Sequence, residues 1–214
     1  MTTDDGYQGP KRGADRAVLL AHGAGADMHA SALTAVADAL ADARIPSLRF
    51  DFPYRSAGRR APDRPLVLLA AVRDAAAERA RRTKLPPGRL VLGGRSMGGR
   101  ICSMAVADET DPLPALGLAL LGYPLHPPGK PDQLRVEHFA RITVPVLFVS
   151  GTRDAFASPD ELERYAEKVK GRVDFSWLET ADHGFKPLKA SGLTPAAALA
   201  AAGEVVVGFV QSLD

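Results

Sequence analysis

Cysteine is almost absent from this chain of 214 residues, which contains only Cys102. A single cysteine cannot form an intrachain disulfide, and this usage is typical of a reducing compartment. Long hydrophobic runs are also lacking, since no stretch approaches the roughly 20 apolar residues that cross a bilayer. The first residues have neither the basic start nor the apolar segment of a signal peptide. We therefore expect a cytoplasmic protein without a membrane partner.

An excess of charge of either sign is lacking too. Lys and Arg number 27 and Asp and Glu 25, for a net charge of +2, which is too small to favour nucleic acid as a partner. No group of His, Cys and Asp residues has the spacing of a metal site, and neither a Walker-type loop nor a dinucleotide-binding loop is present. We expect no cofactor and no metal. The hydrophobic fraction of 46% and charged fraction of 24% are those of an ordinary globular domain.

Short apolar runs alternate with helical patterns along the chain. The polar, glycine-containing residues 1–15 predict a flexible N-terminal arm, and residues 16–214 a single domain. Runs that are apolar on both faces predict buried parallel strands: 17–21, 47–50, 90–92, 116–121 and 144–149, with a weaker sixth at 173–178. Apolar residues at helical spacing and helix-start signals predict helices at 29–43, 65–83, 98–108 and 158–170, and a last one from 194. This alternation predicts a mostly parallel sheet covered on both faces.

The strongest chemical signal is the motif Gly94-Arg95-Ser96-Met97-Gly98, which stands between a predicted strand and a predicted helix. A serine in this context is typical of a nucleophile elbow, a sharp turn that lifts the hydroxyl above the edge of the sheet. The flanking glycines let neighbouring backbone approach the turn and accept its strained dihedral angles. The alternative is a glycine-rich turn whose serine is idle. The context favours Ser96 as a nucleophile.

A serine nucleophile needs an acid and a histidine, which follow it in that order in proteins with such an elbow. His183 is the one histidine that follows every candidate acid, in a loop after the weak sixth strand. Asp154 is the first carboxylate after the fifth strand and therefore belongs to the same edge of the sheet. Asp160 and Glu161 are better explained as charges at a helix start. Asp182 is too close to His183 in sequence to face its ring.

A glycine-rich loop after the first strand is a candidate oxyanion hole. It reads His22-Gly23-Ala24-Gly25. We expect the backbone N–H groups of Ala24 and Met97 to converge on the oxyanion that develops during acyl transfer. The alternative is an ordinary strand-to-helix loop, which the imidazole of His22 only braces.

Segments that follow other strands at this edge are candidate walls of a substrate pocket. They are residues 51–55, residues 122–129 and the stretch around Phe156. For His126 a loop-bracing role is the alternative to a wall position. The candidate wall residues are His22, Tyr54, Arg95, Tyr123, His126 and Phe156.

With these motifs in this order, the chain resembles the α/β-hydrolase superfamily over nearly its whole length. Residues 22–25, 93–100 and 121–129 look like those of a small dienelactone-hydrolase-like branch. That branch includes testis-expressed hydrolase-like proteins and a subunit of a non-specific-lethal chromatin complex. The resemblance implies that the serine, aspartate and histidine named above form a catalytic triad. Dienelactone hydrolases themselves use a cysteine nucleophile, so the serine here argues against their particular substrate.

The resemblance also implies an α/β-hydrolase fold that is reduced in two places. The N-terminal strands of larger members are missing or shortened. Between the fourth and fifth strands, where many members insert a helical lid, only a short segment rich in proline and charge is present. We expect about six mostly parallel strands with helices on both faces, and no lid domain.

These features together predict a serine hydrolase that acts on small-molecule carboxylic esters, with short acyl groups, through an acyl-enzyme intermediate. A peptidase or an acyltransferase is an alternative, because the same triad serves any acyl transfer. A catalytically idle binding or scaffold protein of the same fold is the alternative from another class. The sequence does not predict an oligomeric state.

Overall fold

The computed structural model describes residues 5–10 and 13–214 and contains, within them, one sheet of seven strands. The strands are β1 (Tyr7–Gln8), β2 (Ala17–Ala21), β3 (Ser47–Phe50), β4 (Leu90–Arg95), β5 (Gly117–Leu121), β6 (Val146–Gly151) and β7 (Val173–Leu178). Their order across the sheet is β1-β3-β2-β4-β5-β6-β7. Only the pairing of β1 with β3 is antiparallel, and the pairs from β3 to β7 are parallel. The carboxyl ends of six strands therefore meet at one edge of the sheet.

Helices cover both faces of this sheet. They are α1 (Ser31–Asp42), α2 (Pro53–Ser56), α3 (Pro65–Thr83), α4 (Met97–Val106), α5 (Pro159–Ala166) and α6 (Pro195–Gln211), with 3-10 turns at Pro87–Arg89, Phe139–Arg141 and Lys189–Ser191. Helices α1 and α6 pack together against one face, whereas α3 and α4 pack against the other. Among the described residues, no helix has both the length and the apolar character needed to cross a membrane.

The central strands are buried on both sides, which explains their uninterrupted apolar sequence. All five residues of β2 are fully buried. Leu19 contributes to the core layer under α3 and α4, while Val18 and Leu20 contribute to the layer under α1 and α6. Successive side chains of a strand point to opposite faces, so a strand between two helical layers must be apolar at every position.

One strand departs from the prediction of about six. Strand β1 lies inside the segment 1–15 that the sequence predicts to be an arm, and it forms the edge of the sheet by pairing with β3. It is only two residues long and has no apolar run, so periodicity does not reveal it. The Tyr7 hydroxyl also donates to the Pro10 carbonyl at 2.7 Å. Residues 1–4 and 11–12 of the predicted arm lie outside the described residues, and the boundary between arm and domain stays a prediction.

No lid covers the edge where the parallel strands end. The segment between β5 and β6, residues 122–145, contains only the 3-10 turn Phe139–Arg141. The Tyr123 hydroxyl donates to the Arg135 carbonyl at 2.7 Å, and the Arg135 N–H donates to the Leu125 carbonyl at 2.9 Å. These bonds fold the segment back on itself beside the sheet.

Candidate active site

Ser96 stands at a sharp turn between β4 and α4. Its backbone φ is 51°, in a region that residues with a side chain rarely adopt. The turn lies so close to the end of β2 that a Cβ atom at Gly98 would be 2.2 Å from the Ala21 carbonyl oxygen. Only glycine fits there, because a side chain would displace one of the two backbones. The glycine after the serine is thus a packing requirement of the elbow.

Three side chains meet above this turn. The Ser96 Oγ lies 3.0 Å from Nε2 of His183, and Nδ1 of His183 lies 2.7 Å and 2.9 Å from the two carboxylate oxygens of Asp154. A carboxylate next to Nδ1 favours the tautomer with the proton on Nδ1. The lone pair of Nε2 then faces the serine hydroxyl, which can donate its proton to it. This is the geometry in which histidine acts as a general base.

The aspartate is held more rigidly than the histidine. It follows β6, and its side chain is fully buried, whereas that of His183 is 22% exposed. The Phe156 N–H donates to one carboxylate oxygen at 2.8 Å, and the Ser150 hydroxyl lies 3.4 Å from the other. The Phe156 ring stacks on the imidazole with ring centres 4.0 Å apart. Asp154 therefore fixes one edge of the imidazole and Phe156 one of its faces, while the other edge faces the serine.

Ser96 and His183 open into a cavity of about 520 Å³ at the carboxyl edge of the sheet. Ala24 and Met97 line it next to the serine, where the sequence predicts oxyanion donors. Phe156 also lines it. The other lining residues are Pro62, Asp63, Pro65, Leu68, Arg100, Pro124 and Arg135.

Two predicted wall residues, His22 and Tyr54, are instead buried behind the loop after β2. The ring of His22 is fully buried; its Nδ1 lies 2.8 Å from the Gly23 carbonyl, and its Nε2 accepts from the Phe52 N–H at 3.1 Å. Burial lowers the pKa of His22 and raises that of Tyr54. His22 is thus a neutral brace for the loop, which is the alternative that the sequence leaves open. The wall prediction is corrected at both positions.

Tyr123 and His126 also lie outside the cavity wall. Tyr123 is buried against the rings of Phe139 and Phe148, and its buried hydroxyl has a raised pKa. His126 is 6% exposed, and its Nδ1 lies 2.9 Å from the Pro127 carbonyl. Both side chains stabilise the segment after β5 from within, which corrects their assignment to the wall.

Arg95, a further predicted wall residue, lies under the loop that carries His183. Its guanidinium donates to the carbonyls of Leu121 and Gly122 at 3.2 and 3.4 Å and lies 4.7 Å from the centre of the Phe185 ring. Burial lowers the pKa of the Arg95 guanidinium to about 10, although the negative charges of Asp154 and Asp182 act in the opposite direction. Arg95 thus joins the end of β5 to the loop that carries the histidine, instead of facing substrate.

Several lining residues were not found from the sequence. Pro62, Asp63, Pro65 and Leu68 come from the connection into α3 and its first turn, a region without a motif. Arg100 did offer a signal, because it lies four residues after Ser96 and therefore on the same side of α4, one turn further on.

A second serine–histidine pair is present away from the cavity. The Ser103 Oγ lies 2.8 Å from Nε2 of His138, and both residues are buried. The Ser103 hydroxyl donates its proton to the Arg100 carbonyl at 2.8 Å, so this proton is not directed at His138. Burial, together with the charges of Arg100 and Arg141, lowers the pKa of His138 to about 4. Within residues 5–10 and 13–214, no group of three or more His, Cys, Asp or Glu residues could hold a metal ion.

Comparisons with known proteins agree with this arrangement. A family profile described as "Alpha/beta hydrolase domain" matches residues 14–211. A serine hydrolase homologue from Coxiella burnetii superposes with a TM-score of 0.70 at 18% identity, over 95% of this chain and 89% of the other. Est1E from Butyrivibrio proteoclasticus, with ferulic acid bound, superposes with a TM-score of 0.73 at 16% identity, over 95% of this chain and 90% of the other.

A dienelactone hydrolase from Anabaena variabilis is similar as well, with a TM-score of 0.72 at 20% identity over 94% of this chain and 88% of the other. At such identities these structures show a shared fold. The family profile covers almost all of the chain. This protein therefore belongs to the α/β-hydrolase family.

Proposed function

We propose that the protein is a serine hydrolase that cleaves carboxylic esters through an acyl-enzyme intermediate. The observation that carries this proposal is the unbroken chain of short contacts from the Ser96 hydroxyl through His183 to the buried Asp154. The chain ends at a cavity, so the hydroxyl is accessible to a substrate. A nucleophile, a base and a group that orients the base are the requirements for acyl transfer.

In the proposed reaction, Ser96 Oγ attacks the ester carbonyl carbon while Nε2 of His183 takes the hydroxyl proton. Asp154 stabilises the imidazolium that forms. The backbone N–H groups of Ala24 and Met97 donate to the oxyanion. The histidine then gives its proton to the departing alcohol as the ester C–O bond breaks. Water, activated by the same histidine, attacks the acyl-enzyme and releases the acid and the free serine.

Short acyl groups fit the cavity better than long ones. Its walls come from loops, the first turn of α3 and the start of α4, and the segment after β5 forms no lid. A site without a lid offers little apolar surface beyond the first methylene groups, each of which contributes about 0.8 kcal/mol when buried. We infer that small acyl esters are the preferred class. Peptidase and acyltransferase activities need the same nucleophile and differ only in the group that enters or leaves.

A fluorophosphonate probe tests the proposal, because it forms a stable bond with an activated serine. The probe should label the wild type at Ser96, and the variants Ser96→Ala and His183→Ala should remain unlabelled. The matched control is Ser103→Ala, which removes the buried serine of the second pair and should be labelled like the wild type. Label on another residue, or no label on folded wild-type protein, would contradict the proposal and would favour an idle binding protein.

A further inference from the structure

Two arginine side chains line the cavity that contains the nucleophile. They are Arg100, on α4, and Arg135, in the segment between β5 and β6. Both residues are partly buried. Cations in a half-closed cavity interact strongly with ligand charge, since water screens them less than at an open surface.

Both arginines are held on fixed backbone. The Arg100 N–H donates to the Ser96 carbonyl at 3.1 Å in the first turn of α4. The Arg135 N–H and carbonyl are both hydrogen-bonded within their segment, to Leu125 and Tyr123. The backbone from which each arginine side chain extends thus has a defined position relative to the serine, which a binding site requires.

Neither guanidinium has a protein counter-ion. Among the described residues, no carboxylate forms an ion pair with Arg100 or Arg135. The Arg100 guanidinium donates through Nη1 to the Met104 sulfur at 3.5 Å, and its buried Nε has no hydrogen-bond partner. Glu137 attracts Arg100 only from a greater distance. Asp63, which also lines the cavity, forms an ion pair with Arg59 through Oδ1 at 2.8 Å, while its buried Oδ2 has no hydrogen-bond partner.

This arrangement is costly in the absence of a ligand. Burial lowers the pKa of Arg100, and the positive charge of Arg135 adds to that effect. A buried donor without an acceptor costs about 1–3 kcal/mol, and more when the group is charged. Two like charges that share a cavity without a counter-ion are instead well placed to receive an anion, because planar guanidiniums bind carboxylate and phosphate oxygens in pairs.

We propose that the ester substrate carries an anionic oxygen group, a carboxylate or a phosphate, which Arg100 and Arg135 bind while Ser96 attacks the carbonyl. This inference rests on the proposed function and specifies its substrate class. Arg100 lies one helical turn from the serine, a rise of about 5 Å. Because Ser96, Arg100 and Arg135 line the same cavity, one small substrate can contact all three.

Two pairs of esters, matched in shape, test for the charge. In the first pair, 4-nitrophenyl hydrogen glutarate carries the carboxylate on the acid side, and its methyl ester is neutral. In the second pair, 4-carboxyphenyl acetate carries it on the alcohol side, again with the neutral methyl ester. We expect kcat/KM to favour the anionic member of at least one pair by about ten-fold or more, the range for a charge-assisted hydrogen bond. High salt should reduce this preference.

Substitution of the arginines tests which groups are responsible. Arg100→Gln and Arg135→Gln, made separately, should each lower the anionic-to-neutral ratio of kcat/KM about ten-fold. The matched control is Arg164→Gln, which removes an exposed arginine from α5 and should leave that ratio unchanged. Equal rates for both members of both pairs, or a ratio that the two cavity variants do not change, would overturn the inference.

A binding measurement separates this inference from the proposed function. The Ser96→Ala protein cannot form an acyl-enzyme, and it can be titrated by calorimetry with monomethyl glutarate and with methyl phosphate. Binding of either anion that weakens about ten-fold on adding Arg100→Gln supports the anion site, and the tighter of the two identifies its chemistry. No binding of either anion overturns it. Fluorophosphonate labelling of the wild type would still support the serine hydrolase in that case.

Discussion

Replacement of His22 should damage both stability and the loop that carries the candidate oxyanion donor Ala24, although the His22 ring does not line the cavity. Its ring fills a fully buried site with ring contacts to Phe52 and Tyr54 at 5.0 and 5.8 Å. Its Nε2 accepts from the Phe52 N–H. In His22→Ala, loss of the ring leaves a cavity that costs about 2–4 kcal/mol. The orphaned N–H adds about 1–3 kcal/mol. We expect the free energy of unfolding to fall by about 4 kcal/mol.

A second variant keeps a ring at this site and removes its hydrogen bonds. His22→Phe, whose ring is one atom larger, lacks the acceptor for the Phe52 N–H and the contact with the Gly23 carbonyl. Its expected cost is about 1–3 kcal/mol from the orphaned N–H, with a further contribution from fitting the larger ring. Since Gly23 precedes the candidate oxyanion donor Ala24, the Phe variant should also hydrolyse esters more slowly even where it remains fully folded.

Urea unfolding followed by circular dichroism measures these costs by linear extrapolation. The matched control is His29→Ala, in the same loop but exposed, for which we expect a change below about 0.5 kcal/mol. A cost below about 1 kcal/mol for His22→Ala would refute the argument. It would mean that the ring is not part of the core and that the Phe52 N–H has another partner.

Two further predictions concern stability against pH and the choice of substrate. The pKa of His138 is about 4 in the folded protein, because the residue is buried and near two arginines, and about 6.5 in the unfolded chain. Between these two values only the unfolded state binds the proton, so the free energy of unfolding falls as the pH drops from about 6.5 toward 4. We expect this fall to be about 3 kcal/mol larger in the wild type than in His138→Gln. Urea unfolding of both proteins across this pH range measures it, and a difference between them that does not change with pH would disprove the prediction. Among neutral 4-nitrophenyl esters, kcat/KM should be highest from acetate to butyrate and lower at octanoate, since the cavity has no lid; a steady rise to dodecanoate would reveal a deep apolar channel.

The serine, aspartate and histidine of the site could be predicted because the order of the strands determines where these residues lie. Ser96, Asp154 and His183 follow β4, β6 and β7, whose carboxyl ends lie at one edge of a parallel sheet. Residues within a few positions after such a strand are brought to that edge. Chain order and strand patterns alone therefore sufficed to bring these three side chains together.

The walls of the cavity could not be predicted by the same reasoning. Tyr54, Tyr123 and His126 also follow strands, but their apolar surfaces are buried in the core, which decides their direction. Residues such as Pro62 and Arg135 reach the cavity from connections that have no periodic pattern. Their positions depend on long-range packing of loops, for which a single sequence carries little signal.

The central claim, that Ser96 carries the acyl group during turnover, can be observed directly. The wild type is mixed with 4-nitrophenyl acetate, quenched with acid within the first turnovers, and digested for mass spectrometry. The account predicts a single acetyl group on the peptide that contains Ser96, with a matching burst of nitrophenol, and neither signal in Ser96→Ala. Acetyl groups on lysines only, or turnover of the ester by Ser96→Ala at the wild-type rate, would contradict it.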